Sequence, residues 1–177
     1  MIYSLFFTTT LGRYRGDITQ VDKTSSAFLT GLRFCPEEKA PKENSFSSDL
    51  PAPVQKTAFL LATELTSYSE QKTRCFTVPY LLLGSPFERQ VWQTLVLLPY
   101  GHTASYLDIA RKLGYPQAVR AVGRAIGKNP LELIIPCHRV IRHNGALGGY
   151  RSGLTQKEKL LFLEGNPCLL YTSPSPR

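Results

Sequence analysis

Ile134-Ile135-Pro136-Cys137-His138-Arg139-Val140 is the stretch from which the rest of the chain can be read. The apolar run Leu131 to Ile135 reads as a strand that stops at Pro136, because proline lacks a backbone N–H and disfavours helix at the residue before it. A thiol and an imidazole therefore follow a buried element where the backbone turns. A free thiol is a weak nucleophile at neutral pH unless a base or a positive field favours the thiolate. His138, with Arg139 and Arg142 close by, offers both. Taken alone, a Cys-His pair more often reads as a structural cysteine beside a surface histidine, so the flanking sequence has to decide.

Upstream, Thr103 to Lys128 reads as a helix-turn-helix. Ser105 with Asp108 three residues later forms a capping-box pattern, and Ile109, Ala110 and Leu113 give the first helix a buried stripe. Gly114 ends it, and Pro116 suits the first turn of a second helix running through Ala118, Val119, Ala121, Val122, Ala125 and Ile126. Arg120, Arg124 and Lys128 recur every four residues and share a face, either a solvated surface or a basic ridge for nucleic acid. Ala121 and Gly123 are small enough to let the backbone approach a phosphate chain. Read without the cysteine, this unit suggests a regulator with a recognition helix in the major groove. Downstream, His143-Asn144-Gly145 reads as a hairpin-type turn. Gly148-Gly149-Tyr150-Arg151-Ser152-Gly153 reads as a flexible loop, and Leu154 to Glu164 as a helix.

Farther out, Gly84-Ser85-Pro86 marks a boundary, followed by a core helix over Phe87 to Leu98. Residues 1–84 read as a small α+β module: strands over Ile2 to Leu11, Tyr14 to Val21 and Phe28 to Phe34, a polar loop from Pro36 to Pro53, and a helix from Val54 to Tyr68. The 177 residues, 42% hydrophobic and 19% charged, fit one ordinary domain or two small ones. The net charge of +8 is uneven: residues 1–84 hold nine Lys/Arg against eight Asp/Glu, and residues 85–167 hold eleven against five. Such a field draws polyanions, nucleic acid above all. The four cysteines, at 35, 75, 137 and 168, show no paired spacing, and no stretch reads as a secretory leader, so a reducing compartment is expected. No apolar run approaches the ~20 residues that span a bilayer. His138 and His143 near Cys137 lack metal-site spacing, and no metal is expected. The final ten residues, 168–177, resemble the translation of a sequencing-library adapter and are set aside from the fold.

Pro136-Cys137-His138-Arg139-Val140, Gly148-Gly149-Tyr150-Arg151, the helix to Glu164, Ser105-Tyr106, Ala118-Val119-Arg120-Ala121-Val122 and Asn129-Pro130 together resemble, in order and spacing, the O6-alkylguanine-DNA alkyltransferases. The similarity runs from about Phe87 to Glu164. It implies an α+β fold, with a small ribonuclease-H-like α/β domain (residues 1–84) supporting a mainly helical domain (85–167) with a winged-helix-like helix-turn-helix. It also implies binding to the minor groove of double-stranded DNA, with Arg120 taking the place of an expelled base and Tyr106 pressing on its phosphate. Ser105, Ala121, Arg124 and Lys128 complete the expected DNA face. Asn129 would be a hinge, Tyr150 would stack on the flipped guanine, and backbone groups of Val140 and of the loop through Gly148, Arg151 and Ser152 would read its edge beside Pro136. Glu164 would orient His138, His138 would take the thiol proton, and Cys137 would attack the alkyl carbon, with Tyr106 helping to protonate the departing base.

Chemistry adds the outcome. A thioether offers water no carbonyl to attack, so transfer to the sulfur is single-use and needs no cofactor. O6-alkylguanine, with O4-methylthymine beside it, is the expected substrate of a monomer in the cytoplasm, or in the nucleus of a eukaryote. The alternatives are a non-enzymatic helix-turn-helix regulator or alkylated-base sensor, and a cysteine hydrolase of amides or esters, which would leave the Arg120 helix without a use.

Overall fold

The computed structural model describes residues 1–21, 26–36 and 49–166. Most of the expected Pro36–Pro53 loop, together with Pro167 and the 168–177 tail, lies outside the described residues. The fold mixes sheet and helix in two compact units.

The first unit comprises Met1–Leu83 with Pro130–Glu132. Strands β1 (Ile2–Thr9), β2 (Gly12–Gln20) and β3 (Ala27–Phe34) form an antiparallel sheet in that order. Alternation puts Leu5, Phe7, Tyr14, Ile18 and Leu29 into the core, and a register shift between β2 and β3 at Asp17/Ile18 brings Leu32 in with them. Helix α1 (Ala52–Ser69) covers this face with Val54, Ala58, Leu61, Leu65 and Tyr68. No side chain caps its N-terminus. A missing cap costs about 1 kcal/mol, whereas each fully buried Val or Leu contributes about 1.5–3 kcal/mol, so packing decides that the helix forms.

The segment 130–132 joins this unit because Leu32 N donates to Pro130 O and Glu132 N donates to Leu32 O. The sequence reading keeps these residues with the second half and makes Leu131–Ile135 a strand. Only an isolated bridge, Leu32 to Leu131, forms there. The rest turns because Leu133 takes a φ of +71°. The buried Glu132 carboxylate meanwhile accepts from Phe34 N at 3.0 Å.

The second unit comprises Gly84–Asn129 and the chain from Leu133 onward. Helix α2 (Pro86–Val96) opens on a complete capping box between Ser85 and Glu88 and buries Val91, Trp92 and Leu95. The two-residue strand β4 (Ala104–Ser105) leads into α3 (Tyr106–Lys112), where Ser105 and Asp108 form the expected capping box. Gly114, at φ +80°, ends that helix. Helix α4 (Val119–Gly127) starts later than Pro116 suggests. The Tyr115–Ala118 stretch is a turn closed by Ala118 N to Tyr115 O, which holds the proline outside the helix. A 3-10 turn (Cys137–Arg139) runs into β5 (Val140–Ile141), which pairs in parallel with β4, and α5 (Leu154–Leu163) completes the described unit. No helix among the described residues is long and apolar enough to cross a membrane.

Helix α4 buries Val122, Ala125 and Ile126. It is pinned by Trp92, whose Nε1 donates to Ala125 O at 2.8 Å. Trp92→Phe removes this bond and leaves Ala125 O with the longer one from Lys128 N at 3.2 Å, and is expected to lower the unfolding free energy by about 1 kcal/mol in denaturant titrations followed by circular dichroism.

Candidate active site

Cys137 stands at the start of the 3-10 turn, buried but with 7% of its surface exposed. Pro136 precedes it as the residue that stops the backbone. Asn129 follows α4, and its side-chain amide donates both to Ile135 O at 2.8 Å and to Cys137 Sγ at 3.0 Å. The end of α4 is thereby tied to the sulfur.

His138 is fully buried, and its Nε2 meets Glu164 Oε1 at 2.9 Å. Nδ1 is buried with no hydrogen-bond partner. Glu164, at the C-terminus of α5, also receives Arg139 Nε on Oε2 and Arg139 Nη2 on Oε1, both at 2.8 Å, and Gly101 N on Oε2 at 3.2 Å. Gly101 sits at φ +74°, and a Cβ there would lie 2.9 Å from Glu164 O, so only glycine fits. Burial alone would raise the Glu164 pKa, but the hydrogen bonds from His138 and Arg139, with their charges, hold it well below the carboxylate range. Burial pushes the His138 imidazole down, and Glu164 only partly offsets this.

Tyr106 is brought to this turn by the β4–β5 pairing, which sets Ser105 beside Ile141 and Ala104 beside Val140. Its ring runs past Gly123 on α4, where a Cβ would touch it at 3.6 Å. Its hydroxyl would lie 3.0 Å from a Cβ at Gly148, a residue at φ +70°. Burial raises the Tyr106 pKa, the neighbouring Cys137 adds to the rise, and Arg142 opposes it.

The loop before α5 is held from below by Lys157. This lysine is fully buried, and its Nζ donates to the carbonyls of Val140, Leu147 and Gly149. Burial lowers its pKa to about 8, with Cys137 opposing. Tyr150 and Ser152 are half-buried in that loop and Arg151 is exposed. The His143–Gly145 turn is present, closed by Gly145 N to Arg142 O. The residue run before it pairs with β4 rather than forming a hairpin arm.

Arg120 and Arg124 are exposed on α4, and Ala121 is half-buried. Lys128 is less available than its spacing suggests, since its Nζ contacts Glu88 Oε1 at 2.7 Å. Ser105 is buried, with its hydroxyl donating to Asp108 at 2.6 Å, so it closes the helix cap rather than presenting itself on a surface. The structure therefore brings together Cys137, His138, Glu164, Asn129, Tyr106, Val140 and Gly148.

Arg139 and Lys157 carry more of the site than the sequence reading gives them. Arg139 is read there as a source of positive field beside the thiol, but it is 6% exposed and spent on Glu164. Lys157 had a signal, because it falls three residues before Leu160 and four before Leu161, on the buried face of a helix where a charge needs partners.

The family described as "6-O-methylguanine DNA methyltransferase, DNA binding domain" matches residues 86–166. The inducible methylated-DNA–protein-cysteine methyltransferase of Bacillus subtilis is 52% identical over 103 residues, and the match spans 58% of this chain and 58% of that relative's length. The corresponding protein of Mycolicibacterium paratuberculosis is 41% identical over 137 residues, which is 77% of this chain and 79% of the relative. Among solved structures, the Mycobacterium tuberculosis O6-methylguanine methyltransferase superposes with a TM-score of 0.73 at 34% identity, covering 93% of both chains. The M. tuberculosis protein in complex with DNA gives 0.70 at 35% identity over 90% of both.

Because the Glu164 carboxyl is held below its usual value of 4.5, the folded chain binds fewer protons there than the unfolded one. Its stabilisation is complete above that pH and is lost as pH falls through and below it, and His138 acts in the same direction below its usual 6.5. Glu164→Gln is expected to cost about 3 kcal/mol or more at neutral pH, since it strips Arg139 of its partner. The same variant should flatten the decline of stability below about pH 4.5 in urea titrations, leaving the part due to His138 in place. An unchanged decline would contradict this account of the carboxylate.

Proposed function

The chain belongs to the methylated-DNA–protein-cysteine methyltransferases, and from that premise we propose that it reverses alkylation damage by moving the alkyl group of O6-alkylguanine in duplex DNA onto Cys137. It is a DNA-binding repair enzyme of the methylated-DNA–protein-cysteine S-methyltransferase type. The observation that carries the assignment to Cys137 is the Glu164–His138 hydrogen bond at the residue next to Cys137 in the same turn, with Asn129 donating to the sulfur.

An N–H donated to sulfur favours thiolate over thiol. His138 Nδ1 takes the thiol proton through a bridging water, Cys137 attacks the alkyl carbon, and the C–O bond breaks towards guanine. Tyr106 donates the proton that the departing base needs. The target carbon lies inside the base stack, so the nucleotide must first leave the helix, at a cost of a few kcal/mol that is smallest for a damaged pair. Arg120 fills the gap, and Arg124 and the half-buried Ala121 sit against the strand. Ser105 serves by fixing the start of α3 beneath Tyr106.

The three-stranded sheet with α1 supports a ribonuclease-H-like role for the first unit, and α3–α4 supports a winged-helix-like one for part of the second. The protein acts as a monomer in the cytoplasm, with O4-methylthymine as a second substrate. A regulator that only binds DNA would have no use for the buried His138–Glu164 pair.

Incubation with duplex containing O6-methylguanine is expected to add a single methyl to Cys137, seen by intact-mass and peptide mass spectrometry. Cys137→Ser should abolish the addition, and several turnovers per protein would refute single-use transfer. Arg120→Ala should slow repair of duplex about tenfold or more, while leaving reaction with a free O6-alkylguanine base, which needs no flipping, near the wild-type rate.

A further inference from the structure

A carboxylate offers about four acceptor positions, two on each oxygen. On Glu164 they meet four donors: His138 Nε2 and Arg139 Nη2 on Oε1, Arg139 Nε and Gly101 N on Oε2. The remaining donor nitrogen of Arg139 is also used, with Nη1 donating to Leu98 O at 2.6 Å. The guanidinium carbon lies 5.7 Å from the centre of the Tyr100 ring. Tyr100 is itself fastened by its hydroxyl to Leu163 O, and Asn166 Nδ2 donates to Gly101 O at 3.1 Å. Arg139 is thus locked from three sides, and two of the four donors on the carboxylate are its own.

We propose that Arg139 is a positioning residue for alkyl transfer: by occupying two acceptor sites of Glu164 it keeps the shared proton on His138 Nε2, leaving Nδ1 as the nitrogen with a lone pair to accept the thiol proton. This rests on the alkyl-transfer reading above.

A proton moved onto Glu164 would face a donor on every side, so the carboxylate orients the imidazole and does not compete with it for protons. Without the guanidinium, the carboxylate loses two of its four described donors and a buried negative charge loses its adjoining cation. The His138–Glu164 pair then holds an extra proton at neutral pH, on one partner or the other, and Nδ1 no longer serves as the base. The charged and titratable groups facing the imidazole are Glu164 at the end of α5, Arg139 on its own turn and Lys157 on α5. Of the two cations, Arg139 is the one paired with Glu164, at 2.8 Å.

The test uses the full-length chain, uniformly labelled with nitrogen-15, with the exposed His102 and His143 assigned by His102→Gln and His143→Gln. Wild-type His138 should show a proton on Nε2 and a bare Nδ1. In Arg139→Met the His138–Glu164 pair should take up its proton about one pH unit or more higher, and methyl transfer at neutral pH should slow about tenfold or more with the Kd for duplex unchanged. Arg139→Lys, which restores the cation without the fork, should return the titration towards wild type. A folded Arg139→Met whose pair titrates as in wild type overturns the proposal. So does a proton on Nδ1 in the wild-type protein, a result that needs no variant to fold. If wild type shows the expected tautomer but never gains a methyl, the alkyl-transfer reading fails and the account of the His138 tautomer stands.

Discussion

A negative charge buried at the end of a helix is the constraint from which the site follows. Glu164 is 5% exposed, and an unpaired carboxylate there would cost several kcal/mol. It is tolerated because donors converge on it from two distant stretches of chain, Gly101 and the His138–Arg139 turn. Pairing this one group positions the last turn of α5, the 98–101 turn and the 3-10 turn against one another. The orientation of His138, and with it the setting of Cys137, is a by-product of satisfying that charge.

The remaining pieces are held in the same way, by side chains that close off backbone groups. Asn129 donates to the Ile135 carbonyl, Lys157 donates to the carbonyls of Val140, Leu147 and Gly149, and the two-residue β4–β5 pairing sets Tyr106 beside the turn. Turns held by a satisfied polar network are as well fixed as regular elements, and a reacting sulfur needs that rigidity. Helix α4 works differently. Its apolar side and the Trp92 bond anchor it, which leaves Arg120 and Arg124 exposed on the outer face.

Where local chemistry decides, the sequence is legible. The Ser105/Asp108 cap, the glycine stop at 114, helices α1, α2 and α5 and the first three strands all read through, because capping, helical periodicity and strand-forming residue types act within a few residues. Reading fails where a distant partner overrides the local pattern. Leu131–Ile135 looks like a strand, but Glu132 is drawn to Phe34 N and Leu133 turns left-handed. Lys128 keeps the spacing of the basic ridge, yet Glu88, forty residues away in sequence, engages it.

The linear pattern by itself determined which residues are candidates for the chemistry, that a basic helix accompanies them, and which family the second half resembles, since those depend on residue type and short spacing. The tertiary structure alone decided what each charge does. Arg139, Lys157 and Glu164 are all charged residues in a basic region; the family resemblance gives Glu164 a histidine to orient, and the linear pattern names no partner for Arg139 or Lys157. Folding removes water from all three, and each must then take the nearest partner that satisfies it, a carboxylate, a set of carbonyls or a guanidinium. Desolvation is a property of the assembled chain, so no stretch of sequence could have announced those pairings.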